Sequence, residues 1–227
     1  MTKNFALALT VLAGCMPSIN QAAKTSLDRR IADLTMSARQ VAAPAAATPQ
    51  PLAVGQWVTL RQTDREQRPS LSTYKIVGAE DSAFWLEVTT DSYFGSSAMK
   101  MLVGFGDRTD PRQFEIRRAL TRDQNGVVTE MPVAMIQFMR STFQPVLDSM
   151  AIRWDALPQQ DTTVVAGTFA GCYHGRSGVA AAGHATTSEV WWHPEVPING
   201  VVKMVGVGEP TSTELIDFGD SGAQSTF

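Results

Sequence analysis

From residue 54 onward, apolar and polar positions alternate with a period close to two. In "GQWVTLRQT", Trp57, Thr59 and Arg61 alternate with Val58, Leu60 and Gln62. "STYKIVGAE" sets Tyr74, Ile76 and Gly78 against Lys75 and Val77, and "AFWLEVTT" sets Phe84, Leu86 and Val88 against Trp85 and Glu87. "AMKMLVGF" and "QFEIRRALT" follow, and then the turn sequence "DQNG". Residues i and i+2 of a strand share a face, so this period predicts half-buried strands joined by short turns. After the middle of the chain, strands are expected at "TTVVAGTFAGCYHG" (taken as one), "SEVWWHP", "GVVKMVGVG" and "TELIDFG", with a hairpin turn at Asn199-Gly200. "RSGVAAAGHAT" is small and glycine-rich and is expected as a mobile loop.

One segment departs from that period. In "MPVAMIQFMRSTFQPVLDSMAIRWDAL", Val133, Ile136, Phe138, Phe143, Val146, Leu147 and Met150 are spaced as on a helix. Pro132 suits a first helical turn and Pro145 interrupts the middle, predicting helices over Val133–Thr142 and Pro145–Ile152. Methionines cluster here, and Met135 and Met139 suit either soft core packing or an adaptable apolar surface. About nine antiparallel strands with a central helical insertion make a mainly β (α+β) fold, a meander sheet or half-open barrel with the helical piece over one face.

The first 53 residues are organised differently. Leu27, Ile31 and Leu34 share one face of a possible helix, and "AAPAAATPQP" has no core-forming residue and is expected as an extended linker. Before them stand one cation, Lys3, an apolar run from Phe5 to Leu12, and then Ala13, Gly14 and Cys15. That is the order of a secretory signal, and its apolar run is shorter than the ~20 residues a spanning helix needs. Leu12-Ala13-Gly14-Cys15 closely resembles the lipobox of bacterial lipoproteins. The resemblance implies cleavage before Cys15, acylation of its thiol and new amino group, and anchoring by palmitate-like chains. Several chains hold a protein to a bilayer stably where one does not. Met16 follows Cys15; without an Asp there, the resemblance implies the outer membrane, facing the periplasm or the cell surface. The expected organisation is therefore a signal peptide over 1–14, a lipidated tether over 15–53 and a β-rich domain over 54–227. The order of strands and helical insertion is also similar to that of half-open β-barrel envelope lipoproteins, which hold an acyl chain between sheet and lid.

Composition narrows the function. Cleavage leaves 227 − 14 = 213 residues, and the loss of Lys3 moves the formal net charge from −3 to −4. An acidic chain lacks the basic surface that nucleic-acid affinity requires. With Cys15 acylated, Cys172 has no partner for a disulfide. It is either a buried thiol or, with His174 two residues on, a nucleophile. His174, His184 and His193 lie close in sequence near Glu189 and Glu195, which leaves a zinc site open, although their spacing fits no short metal motif. "DFGDSGA" contains kinase-like and trypsin-like fragments without the remaining parts of either machinery. Trp191 and Trp192 stand side by side, so a strand would point them to opposite faces, one toward the core and one toward a ligand or partner.

No catalytic residue, metal-ligand set or cofactor is assigned. The expected function is that of a non-catalytic envelope lipoprotein, anchored through Cys15, that binds an apolar ligand or an envelope protein through a surface including Trp191, Trp192, Met135 and Met139. The alternatives are a lipid-anchored metal-dependent hydrolase and a structural assembly subunit.

Overall fold

The alternation read from the sequence sets the two faces of the sheet. In β2 (Trp57–Thr63), Val58 and Leu60 are buried on the inner face, with Trp57, Thr59 and Arg61 on the outer one. In β3 (Pro69–Glu80), Tyr74 and Ile76 continue the inner face, and in β4 (Ala83–Ser92) Phe84, Leu86 and Val88 do the same. β5 (Gly95–Phe105), β6 (Phe114–Arg122) and β7 (Val128–Glu130) complete an antiparallel meander that begins at β2. The computed structural model describes residues 18–105, 114–123, 125–138, 154–181 and 184–227.

The second half of the sheet contains β8 (Gln159–Val164), β9 (Gly167–Ala181), β10 (His184–Trp192), β11 (Val201–Gly206) and β12 (Ser212–Gly219). With β1 (Gln40–Val41), the strand order is β1-β9-β10-β11-β12-β2-β3-β4-β5-β6-β7, and β8 lies beside β9. The two halves join where β12 pairs with β2, from Ser212 opposite Thr63 to Gly219 opposite Trp57. Among the described residues no pairing links β7 back to β1, so the sheet is open. Every pairing is antiparallel except the short one between β1 and β9.

The inner face carries two apolar clusters. Val58, Leu60, Phe169, Trp191, Val202 and Leu215 form one, and Ile76, Leu86, Met101, Val103 and Ile116 form the other. Tyr74 and Ile198 touch both, so the core is continuous. Residues 133–138 are helical as predicted, and Ile136 is buried against the second cluster. The predicted continuation to Thr142 and the helix over Pro145–Ile152 lie outside the described residues.

Several sequence expectations are corrected. The stretch expected as one strand over 162–175 turns at Val165-Ala166 and divides between β8 and β9. Gly167 permits this because its φ is +130° and the Arg39 carbonyl lies where a Cβ would stand. Of the glycine-rich stretch over 176–186, residues 176–181 end β9 and 184–186 begin β10, which pair antiparallel with Arg176 opposite Glu189 and His184 opposite Ala181. Its small residues lack a hydrophobic pattern, but β10 supplies their hydrogen bonds. The link from β10 to β11 is an eight-residue loop, 193–200, longer than a two-residue Asn-Gly turn.

Residues 20–53 pack onto the sheet. Asn20 caps α1 (Gln21–Ala32), its side chain accepting from the Ala23 amide at 3.1 Å. Leu27 is only 2% exposed and packs on the outer face against Leu71 and Ile216, with Ile31 and Leu34 beside it. Tyr93 donates its hydroxyl to Asp28 at 2.7 Å, and Arg30 pairs with Asp91. After β1, the Ala/Pro stretch lies on the sheet: Ala43 touches Gly171, and Gln56 donates to the Pro51 carbonyl at 2.9 Å while accepting from the Ala53 amide. Small residues allow this close approach without any apolar pattern. Leu27→Ala is expected to lower unfolding stability by about 3 kcal/mol in chemical denaturation; an unchanged midpoint would show that α1 hangs free.

Candidate functional site

Three groups of side chains stand out in the fold. The first surrounds the paired tryptophans. β10 points Trp191 inward, where it is 9% exposed, stacked on His174 with ring centroids 4.4 Å apart. Its Nε1 donates to Gln160 Oε1 at 3.2 Å, and the Lys203 ammonium lies 5.3 Å from the ring centre. Trp192 points outward but is 5% exposed, because Trp154 stacks over it at 6.2 Å and continues onto Tyr173 at 6.3 Å. Gly200 makes room for Trp154, whose ring occupies the place a Cβ would take. The alternation of faces holds, but both rings are covered, so the expected aromatic surface does not form at Trp191 and Trp192. The covering residue lies 38 positions away in sequence, just past the helix expected over Pro145–Ile152. Met135 is 48% exposed on the helical stretch, and Met139 lies outside the described residues, as does Cys15.

The second group holds the residues considered for chemistry. Cys172 is fully buried on β9, and its thiol donates to the Phe169 carbonyl at 3.9 Å. Burial first, and then the charge of Asp161, push its pKa up to about 12. A thiol so held is not a nucleophile. His193 is also fully buried. Its Nε2 lies 3.2 Å from the Ala42 carbonyl and its Nδ1 accepts from the Glu195 amide at 3.2 Å, an arrangement that assigns a neutral ring protonated at Nε2. Burial holds its pKa below the usual histidine value, against the hydrogen bond to Ala42. With both nitrogens engaged, His193 has no lone pair for a metal. His174 Nε2 is 3.9 Å from Glu189 and makes no hydrogen bond. The side chain of His184 lies outside the described set, and no three metal-ligating side chains converge among the described residues. His174 and His193 are therefore held by different partners, His174 against Trp191 and His193 between Ala42 and Glu195.

The third group was not visible in the sequence. After β12 the chain turns at Ser221-Gly222 and runs across the outer face of five strands. Trp57 Nε1 donates to the Ser221 carbonyl, and the Ala223 amide donates to Gly55. Lys75 donates to the Gln224 carbonyl at 3.4 Å, Lys100 donates to Ser225 Oγ at 3.2 Å, and Arg122 donates to Thr226 while covering the Phe227 ring. The first of these residues form a register row, Trp57 opposite Lys75, Lys75 opposite Glu87 and Glu87 opposite Lys100. Five strands span about 19 Å, roughly the reach of six extended residues, so 221–226 crosses the sheet at one residue or so per strand.

Glu87 is the centre of that row. It is 0% exposed, yet it carries a carboxylate. Its oxygens accept from Thr226 Oγ1 at 2.7 Å, the Thr226 amide at 3.0 Å and Ser225 Oγ at 2.9 Å, and Lys75 Nζ stands 3.5 Å away. Burial alone would raise its pKa. The hydrogen bonds from Thr226 and Ser225, with the charge of Lys75, more than offset burial and hold it below the ordinary glutamate value. Chemically, the row recognises an extended backbone bearing hydroxyls, and the chain itself supplies that backbone.

Two depressions in the described surface are open to solvent. One is lined by Gln62, Asp64, Ser70, Met204 and Thr213, and the other lies beneath residues 222–226. Neither is an apolar chamber of the kind an acyl chain would fill.

No protein-family model matches the chain, and no curated protein matches it. Among solved structures, the chain is similar to a "putative lipoprotein" from Parabacteroides distasonis, with 11% identity over 74% of this chain and 97% of that one, at a TM-score of 0.36. It is also similar to a "putative exported protein with YmcC-like fold" from Bacteroides fragilis, with 10% identity over 77% and 100% of the two chains, at a TM-score of 0.35. Likenesses this distant carry no argument about function.

Two outcomes test these groups. The contribution of Glu87 is complete above its unfolded pKa, near 4.5, and is lost as pH falls through its lower folded value. The wild type should therefore lose melting temperature below about pH 4.5 more steeply than Glu87→Gln, and parallel curves would mean that the row is not ionised as described. Cys172 should resist a thiol reagent in the native protein and react fully in denaturant, and rapid native labelling would restore the nucleophile reading.

Proposed function

We propose that the protein is a bacterial envelope lipoprotein, anchored through acylated Cys15, whose β domain is a non-catalytic binding unit for an envelope protein. The order Lys3, apolar run, Leu12-Ala13-Gly14-Cys15 carries this reading. Met16 after the cysteine favours the outer membrane. No helix among the described residues is long and apolar enough to span a membrane.

A protein partner is preferred to an apolar ligand because Tyr74 and Ile198 pack against both inner clusters and join them into one core. Val128, Val133 and Met135 are exposed apolar residues at and after β7, whose outer edge has no pairing strand among the described residues. Exposed apolar positions beside a sheet edge are a common way to receive another chain. The metal-hydrolase alternative draws no support from His193, whose nitrogens are both engaged.

The test is the intact mass of protein purified from the membranes of a bacterium expressing the full precursor, beside Cys15→Ser. A mass gain of acyl chains in the native form, absent from the variant, is the expected result. An unmodified soluble product cut elsewhere would overturn the reading.

A further inference from the structure

Within the tether expected over 15–53, residues 20–53 pack on the sheet, which leaves little chain between anchor and domain. The Asn20 amide donates to the Tyr93 carbonyl at 2.8 Å, which fixes the start of α1 to the β4–β5 turn. Cys15 and Asn20 are 20 − 15 = 5 residues apart. Fully extended, that is no more than about 18 Å. A free tether over residues 15–53 would instead have let the domain wander by about 35 Å.

The register shows what shares that end of the sheet. Ser92 pairs with Gly95 around the β4–β5 turn, and Ser70, next to the β2–β3 hairpin, pairs with Ser92. Arg122 pairs with Ala98 and Val128, placing the 123–127 turn at the same end. Ser212 pairs with Thr63 and Val205, which adds the β11–β12 turn, and the β9–β10 hairpin lies alongside because Ser188 pairs with Gly206. These turns, with the ends of β9 and β10 at Ala181 and His184, therefore lie where Asn20 is fixed. Exposed apolar side chains occur at this end: Ile19 beside Asn20, Val127 and Val128 at one tip, and Val207 at another. The β3–β4 turn, with Asp81 and Ser82, lies at the opposite end.

We propose that this hairpin end rests on the phospholipid bilayer, with Ile19, Val127 and Val207 against the lipid headgroups and the Asp81 turn pointing away. The proposal rests on acylation of Cys15. Given that anchor, five residues of slack keep the tips at high effective concentration near the surface, so contacts too weak to recruit a free protein suffice to orient a tethered one. The outer-face segment 221–227 and the β7 edge would then stand roughly upright, open to partners from the side.

The experiment uses full-length protein purified from membranes, with its acyl mass confirmed, carrying Val207→Cys or Asp81→Cys labelled with a fluorophore. Acylated Cys15 and buried Cys172 leave the introduced cysteine as the labelled site. In vesicles of phosphatidylethanolamine and phosphatidylglycerol containing brominated lipid, quenching at position 207 should exceed that at 81 severalfold. A flexible insert of about twenty Gly/Ser residues between Pro17 and Ser18 should abolish the difference while the acyl mass persists. Equal quenching at the two positions in acylated protein overturns the orientation and leaves the lipoprotein reading intact. A product lacking acyl chains overturns both.

Discussion

An open sheet has two faces to cover and no closure to help it. That constraint shapes the whole molecule. A closed barrel hides one face inside itself, whereas a sheet whose described strands show no end-to-end pairing must find cover elsewhere in its own chain. The inner face is filled by Val164, Ala166 and Phe169 around the β8–β9 turn, by the 193–200 loop through Val196 and Ile198, and by Ile136 of the helical stretch. The outer face is covered in three patches: α1 over Leu71 and Ile216, Trp154 over Trp192, and residues 221–227 over the Trp57–Lys75–Glu87–Lys100 row.

The three covers differ in chemistry because the strands beneath them differ. Where the outer face is apolar, the cover is an aliphatic helix face or an indole ring. Where it carries Lys75, Glu87 and Lys100, the cover is backbone and hydroxyl, which supply the hydrogen bonds that buried charge requires. A buried carboxylate without those donors would be costly, and Glu87 thus fixes where the segment lies. The fold uses polar groups for position and apolar groups for area.

Legibility in the sequence follows the range of each interaction. The faces of β2, β3 and β4 were readable because alternation is local, and Val58, Leu60, Ile76 and Leu86 are buried as it predicts. The opposite placement of Trp191 and Trp192 was readable for the same reason. Their burial was not, because it depends on Trp154 and on space left at Gly200. Glu87 looked like an ordinary outward residue, since its partner Thr226 is 139 positions away. The contacts of the Ala/Pro stretch were not readable because close packing of Ala43 on Gly171 and capping of His193 by the Ala42 carbonyl leave no hydrophobic signature. Of the chemistry, the state of Cys172 was open in the sequence and required the structure to show a buried thiol that donates to the Phe169 carbonyl.

The join between β12 and β2 has a kinetic consequence. The two strands are neighbours at the middle of the sheet, yet Leu60 and Leu215 are separated by most of the chain. Each half can assemble through near-neighbour hairpins, but neither has its full core until these strands meet. Contacts of such high sequence separation slow folding, since a long loop must close before they form. Until then β2 and β12 each present an unpaired apolar edge, the kind that invites a second chain. The molecule is therefore most exposed to misassembly at its centre, and its rims matter less.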